Sequence, residues 1–252
     1  MDTFEQTRNV EQTRNRLLPL CVAAVPTLNE HTDEVALRAG QNLHRAGHPI
    51  EFVYFPHDAL VSLVVSGSSE IEVGMVGAEG AIGGMAGLGL VDATQTAMVR
   101  FPGSATRIPS AELLAAASKS ELMRGELVRH EAALTGQAQV TAFCNTFHSV
   151  ENRLCRWLLG AHQRSGRTDL PITQTVLAQM LGVQRTTVTL ELGKLQETRA
   201  LACRRGHIHL LDLDQVARHA CDCEDQAARR SPRPSATPYR LAVTPTGAAA
   251  AL

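Results

Sequence analysis

The sequence predicts an α+β chain with an N-terminal antiparallel β-roll, one long helix, and a C-terminal part made of short helices and a small hairpin. Three observations carry this expectation. Between residues 34 and 109, short apolar runs of period two alternate with glycine and proline turns; residues 120–147 hold no proline and repeat apolar positions every three or four residues; and residues 173–196 form two amphipathic segments that meet at Gly182.

A chain of 252 residues has room for two modest domains, each with its own core. No apolar run approaches the roughly 18 residues needed to cross a bilayer. The first residues, MDTFEQTRNVEQTRNR, are polar and lack the pattern of a secretory signal, so the expected location is the cytoplasm and no membrane contact is expected. The echo EQTRN at 5–9 and 11–15 is too short for a structural repeat. Six cysteines (Cys21, Cys144, Cys155, Cys203, Cys221, Cys223) are scattered, with only the last two close together. They suggest reduced thiols, and neither a disulfide framework nor a four-ligand zinc pattern follows from their spacing.

The net charge of −1 is unevenly distributed. Residues 1–147 carry ten basic and sixteen acidic side chains, whereas residues 148–211 carry nine basic and four acidic ones. An acidic front is therefore joined to a basic block, and the basic block contains the paired amphipathic segments.

In chain order, an N-terminal segment (1–33) precedes the roll (34–109). EFVYF at 51–55 ends at Pro56, LVSLVV at 60–65 runs into Gly67-Ser68-Ser69, and EIEVGMV returns with Ile71, Val73 and Met75 expected on one face. The glycine-rich stretch VGAEGAIGGMAGLGL (76–90) leads to TAMVRF and ATRIP. Ser110 is the expected N-cap of the next helix, within a connecting helical region of 110–147. Met123, Leu127, His130, Leu134, Gln137, Thr141 and Cys144 repeat as an imperfect heptad, and Met123, Leu127, Leu134 and Thr141 are the expected seam of a homodimer. A helix at 149–163 buries a stripe with the one tryptophan, Trp157. The last segment, 221–252, becomes rich in proline and alanine beyond Glu224 and is expected to be a disordered tail.

The C-terminal domain (148–220), which contains the basic block, holds the most specific signal. Thr173 is placed to cap Gln174–Leu181, and Gly182 supplies a left-handed turn. In the second helix Val188, Leu192 and Leu195 form an inward stripe. The opposite arc, with Thr186, Thr189, Leu190 and Gly193 and with Arg185 at its edge, is not an ordinary solvated face of Glu and Lys. Methyl-bearing side chains suit thymine methyls in a major groove, and arginine suits guanine O6/N7. ALACRRGHIHLLD (200–212) then reads as a β-hairpin with a basic tip, which completes a winged helix-turn-helix. Candidate contacts to double-stranded DNA are Thr173, Gln184, Arg185, Thr186, Thr187, Thr189, Leu190, Arg204, Arg205 and His207.

This order of parts resembles the Crp/Fnr family of bacterial transcription regulators over roughly residues 34–220. The carriers are the glycine-rich roll, the long helix, HSVENRLCRWLL, and ITQTVLAQMLGVQRTTVTLELGKLQ followed by the wing. The resemblance implies a cyclic-nucleotide-binding-like roll, a dimer through the long helix, a palindromic operator, a small-molecule effector and RNA polymerase as a further partner. Arg185 falls on the family's base-reading arginine and Gln184 on a neighbouring polar position. Thr186 and Leu190 replace a glutamate and a second arginine found in the best-known members, which implies a different operator preference. In the family's phosphate cassette Gly83 matches, whereas Gly84 stands in place of the glutamate and Gln95, followed by Thr96, in place of the arginine. Without that charge-assisted anchor, cyclic AMP is not the expected effector. Cys21 stands alone where oxygen-sensing relatives place closely spaced cysteines, so no cofactor is expected. A second reading is a cupin-like metal-dependent enzyme with an accessory helical domain, using His44, His48, His57 and Glu51. No catalytic arrangement stands out to support it.

Overall fold

The chain is described here by a computed structural model that covers residues 14–223. Of the expected tail (221–252), residues 221–223 are described, with Cys223 buried beside Cys144 rather than loose, while 224–252 and most of the EQTRN echo lie outside the described residues. Within the N-terminal segment, helix α1 (Leu18–Ala24) and a 3-10 turn (Pro26–His31) precede the strands. Asn15 ties this segment to the roll. Its side-chain amide donates to the carbonyls of Pro56 (2.9 Å) and Gly80 (2.8 Å), and its Oδ1 accepts the N–H groups of Leu17 and Leu18, which have no partner inside the helix.

Seven strands build the roll: β1 (Asp33–Leu37), β2 (Asn42–His44), β3 (Phe52–Pro56), β4 (Leu60–Ser66), β5 (Glu70–Val76), β6 (Thr96–Phe101) and β7 (Gly103–Pro109). They form two antiparallel sheets, ordered β1-β7-β3 and β2-β6-β4-β5, around a core that includes Val61, Val76, Ile82 and Val99. The β4–β5 hairpin forms across Gly67-Ser68-Ser69, but its register slips: Leu63 pairs with Gly74 and Val64 with Glu72. That bulge corrects the expected face. Glu72 turns inward and is only 6% exposed, while Ile71 and Val73 are half-buried, because one extra residue reverses the alternation beyond it.

Helix α2 (Ser110–Lys119) starts at Ser110 itself, with Pro109 at the cap position. The Ser110 hydroxyl donates to the Ile50 carbonyl and so does not cap the helix. Helix α3 (Glu121–Phe147) is capped by Ser120, whose Oγ accepts the Met123 N–H at 3.3 Å. The seam expected from the heptad is covered by the chain's own roll. Met123 and Leu127 are wholly buried there, Leu134 packs on the roll core, and Thr141 is half-buried. The polar positions of the stripe explain why it belongs inside: His130 Nε2 pairs with the Ala81 carbonyl (2.8 Å), and Gln137 bonds both the N–H and the carbonyl of Met75 (3.0 and 3.2 Å). Another face of α3 is open, with Leu122, Val128, Phe143 and Phe147 at least half exposed and clear space beside Gly125 and Gly136.

Beyond α3 come α4 (Val150–Ser165), β8 (Asp169–Leu170), α5 (Gln174–Leu181), α6 (Arg185–Glu197), β9 (Leu201–Arg204), β10 (His207–Leu210) and α7 (Leu213–His219). Their core is continuous with the roll: Leu60, Met75 and Phe101 belong to the same apolar cluster as Leu154, Trp157, Leu177, Leu192 and Ile208.

Candidate nucleic-acid interface

Local sequence sets the geometry of α5 and α6. Thr173 Oγ1 accepts the Val176 N–H at 3.2 Å, which caps α5 as its sequence suggests. Gly182 ends the helix at φ 64°, a conformation that a Cβ would resist, and lets the chain turn into α6. Val188, Leu192 and Leu195 are buried, so the inner face of α6 is fixed by packing. The outer face therefore has to be the one that carries Arg185, Thr186, Thr189 and Leu190, all of them exposed. Leu190 is 68% exposed on this face.

The hairpin β9–β10 turns through Arg205 and Gly206 and pairs Arg204 with His207. Strand β8, not anticipated from the sequence, adds a third strand with the order β8-β10-β9. Between this wing and the start of α5 lies a cleft of roughly 520 Å³, lined by Thr173, Gln174, Thr175, Arg185, Arg204 and Arg205 among others. Three arginines thus converge with the N-terminus of a helix, an arrangement suited to the phosphates of a duplex.

Some expected contact residues are already engaged. The Thr189 hydroxyl donates to Gln174 Oε1 (2.7 Å) and approaches the Arg185 carbonyl (3.0 Å), so it positions Gln174 across the two helices. His207 lines the cleft, yet its Nδ1 lies 3.0 Å from Asp169 and its ring stacks on His209. Gln184 is the residue before α6 and its side chain makes no cap bond, which leaves it outward; Thr187 is half-buried. Gln174 and Thr175 escaped the sequence reading. Their signal was their place directly after the Thr173 cap.

The roll positions expected to match the cassette, Gly83, Gly84, Gln95 and Thr96, carry no charged side chain. Gly83 has φ 82°, and a Cβ there would meet the His44 ring. At Gly84 a Cβ would meet the Glu131 carboxylate of α3, so the space beside this glycine is filled from the long helix. Burial pushes the Glu131 carboxyl up to about 7, against a backbone hydrogen bond from Met85 that lowers it. Gln95 lies in the bend before β6, and Thr96 Oγ1 accepts the Ala46 N–H at 3.3 Å. The histidines of the metal-enzyme reading do not converge. His44 Nε2 pairs with the Phe52 carbonyl (2.7 Å) and His57 Nε2 with Thr106 Oγ1 (3.0 Å), and only His44, His48 and Glu51 line a shared surface cleft.

A family model described as the Crp-like helix-turn-helix domain matches residues 152–218. In fold the chain is similar to FixK2 from Bradyrhizobium japonicum, with a TM-score of 0.65 and 16% identity over 75% of this chain and 98% of that one. It is also similar to CLP of Xanthomonas campestris, described as a c-di-GMP responsive global regulator, with a TM-score of 0.61 and 16% identity over 75% and 98% of the two chains. TTHA1359, a CRP/FNR-family transcriptional regulator from Thermus thermophilus, gives a TM-score of 0.57 at 22% identity, again over 75% and 98%. No curated protein sequence matches the chain. At these identities the structural likeness is one of fold: this chain has the fold of a Crp/Fnr-type DNA-binding transcription regulator, with its Crp-like helix-turn-helix domain in residues 152–218.

Proposed function

We propose that this protein is a homodimer that binds a palindromic operator, with α6 in the major groove and the wing on the adjacent backbone. The supporting observation is the outward arc of α6, where Arg185, Thr186 and Leu190 are exposed and Arg185 shares one cleft with the Arg204–Arg205 tip. Arg185 reads guanine, Thr186 and Leu190 favour thymine methyls, and Arg204 and Arg205 hold phosphates, with Thr173, Gln184 and Thr187 at the flanks. Pairing uses the open face of α3 around Leu122, Gly125, Val128, Ala132 and Gly136, since the Met123–Leu127–Leu134 stripe is occupied. The effector is a small molecule other than cyclic AMP, because the charged cassette anchors are replaced by Gly84 and Gln95 and the space beside Gly84 is taken by Glu131. RNA polymerase is the further partner, and the cytoplasm the site of action.

Selection from random duplex DNA, with light scattering on the resulting complex, tests this reading. Enrichment of inverted repeats whose half-sites contain guanine and thymine, bound by two chains, supports it. Recovery of unrelated sequences, or binding by single chains, overturns it.

A further inference from the structure

Three of the six cysteines, Cys144, Cys221 and Cys223, come together in space. Cys144 lies in the last turn of α3, and His148 follows it by four residues as the C-cap of that helix, so both present their ligand atoms to the same side. Cys221 and Cys223 come from the segment after α7, more than seventy residues away in sequence. Cys144 Sγ is 3.6 Å from Cys221 Sγ, Cys223 Sγ is 3.5 Å from His148 Nδ1, and the four ligand atoms all lie within 4.8 Å of one another.

We infer that Cys144, His148, Cys221 and Cys223 form a Cys3His site for one tetrahedral transition-metal ion of the zinc class. Bonds of about 2.3 Å to sulfur and about 2.0 Å to nitrogen put the ligand atoms of such an ion roughly 3.5–3.8 Å apart, and both close pairs fall at that spacing. Three thiolates and one imidazole are a soft donor set, which rules against calcium or magnesium. The ligand atoms are too close together to span an iron–sulfur cluster, so the geometry is that of a single ion. The surroundings fit as well: Cys144 and Cys223 are buried against Val140 in a small apolar cluster. Two arginines of α4, Arg153 and Arg156, lie within electrostatic range of Cys144. The Nε atoms of both arginines are buried without an acceptor.

The position gives the ion a structural role. One ligand pair sits where α3 passes into α4, and the other immediately follows α7. All of the helix-turn-helix and wing lies between the two pairs, so an ion here closes the domain into a loop and ties both its ends to the long helix.

Metal analysis of the full-length chain, purified with reductant and without added chelator, tests the inference, followed by titration of the stripped protein with Co2+. The expected result is about one Zn2+ or Co2+ per chain, with the visible bands of tetrahedral Co2+ and a near-ultraviolet thiolate charge-transfer band. Cys221→Ser and Cys223→Ser should weaken Co2+ binding by more than about tenfold. His148→Ala should bind Co2+ with an altered visible spectrum, and Cys203→Ser, whose thiol lies in β9, should be unchanged. Cys144 is wholly buried and its loss could unfold the helix end, so Cys221 and Cys223 are the decisive positions, with far-ultraviolet dichroism as the check on fold. Reduced protein that takes up no Co2+, or bands that survive in Cys221→Ser and Cys223→Ser alike, would overturn the assignment. So would a Cys144–Cys221 disulfide in protein purified without reductant combined with no metal uptake after reduction.

Discussion

The indole N–H of Trp157 donates to Glu72 Oε1 at 2.7 Å, joining the first helix of the DNA-binding domain to the second strand of the roll's hairpin. The Ser62 hydroxyl donates to the other carboxylate oxygen, and Phe101 meets Trp157 edge-on at 6.4 Å. The bulge in β5 that turns Glu72 inward thus decides how the two halves are joined.

This carboxylate makes the junction sensitive to pH. Burial pushes the Glu72 carboxyl from 4.5 up to about 7, against the hydrogen bonds from Ser62 and Trp157 and the positive charges of Arg100 and Arg156, which lower it. Below about 4.5 both the folded and unfolded chains hold this proton. Between about 4.5 and 7 the unfolded chain has lost it while the folded chain keeps it, so the Glu72 contribution to stability declines as pH rises through that window and is flat above it. Urea unfolding of Glu72→Gln should match the parent near pH 4.5 and exceed it at pH 8 by on the order of 1–3 kcal/mol. An equal difference at both pH values would contradict the assignment.

Close approach at a second point of the same junction gives another test. A Cβ on Gly77 would sit 2.5 Å from the backbone carbonyl oxygen of Arg164, and Arg164 also pairs with Glu79 at 3.2 Å. Backbone cannot rotate out of the way as a side-chain tip can. Gly77→Ala should therefore cost about 1–3 kcal/mol in chemical denaturation, the usual range for overpacking, whereas Gly67→Ala, in open space, should cost less than about 1 kcal/mol.

On DNA, the two kinds of contact should separate. Arg185→Ala is expected to lose about 1–3 kcal/mol of binding and to relax the preference for guanine. Arg204→Ala and Arg205→Ala should weaken binding evenly across sequences, each reducing the slope of log K against log salt by about 1. Fluorescence anisotropy over a salt series measures both, and an unchanged base preference in Arg185→Ala would remove it as the reader.

The two faces of α3 should respond in opposite ways to charge. Val128 is 53% exposed, and Val128→Asp is expected to leave the dichroism spectrum intact while converting dimers to monomers in light scattering. Leu127 is wholly buried one residue earlier, and Leu127→Asp should unfold the chain by leaving an unpaired charge in the core. A Val128→Asp protein that stays dimeric would place the pairing surface elsewhere.

Much of this protein is determined by local sequence. The Gly182 turn, the Thr173 cap, the buried Val188–Leu192–Leu195 stripe and the two-residue turn of the wing follow from backbone preference and from a period that leaves one face apolar. For the same reason the outward arc of α6, with Arg185 and Leu190, was legible before any fold was known. The tertiary structure decided what depends on a partner distant in sequence. The heptad of α3 announces a buried stripe but not what buries it, and the roll, through the Ala81 and Met75 backbones, claims it. A bulge cannot be seen in the alternation of EIEVGMV, yet it sends Glu72 inward to Trp157. Nor does the spacing of Cys144, His148, Cys221 and Cys223 suggest a cluster, since those residues meet only when α7 returns the chain to the end of α3. Periodicity reports which face of an element is buried, and only the closed chain supplies the atoms that bury it.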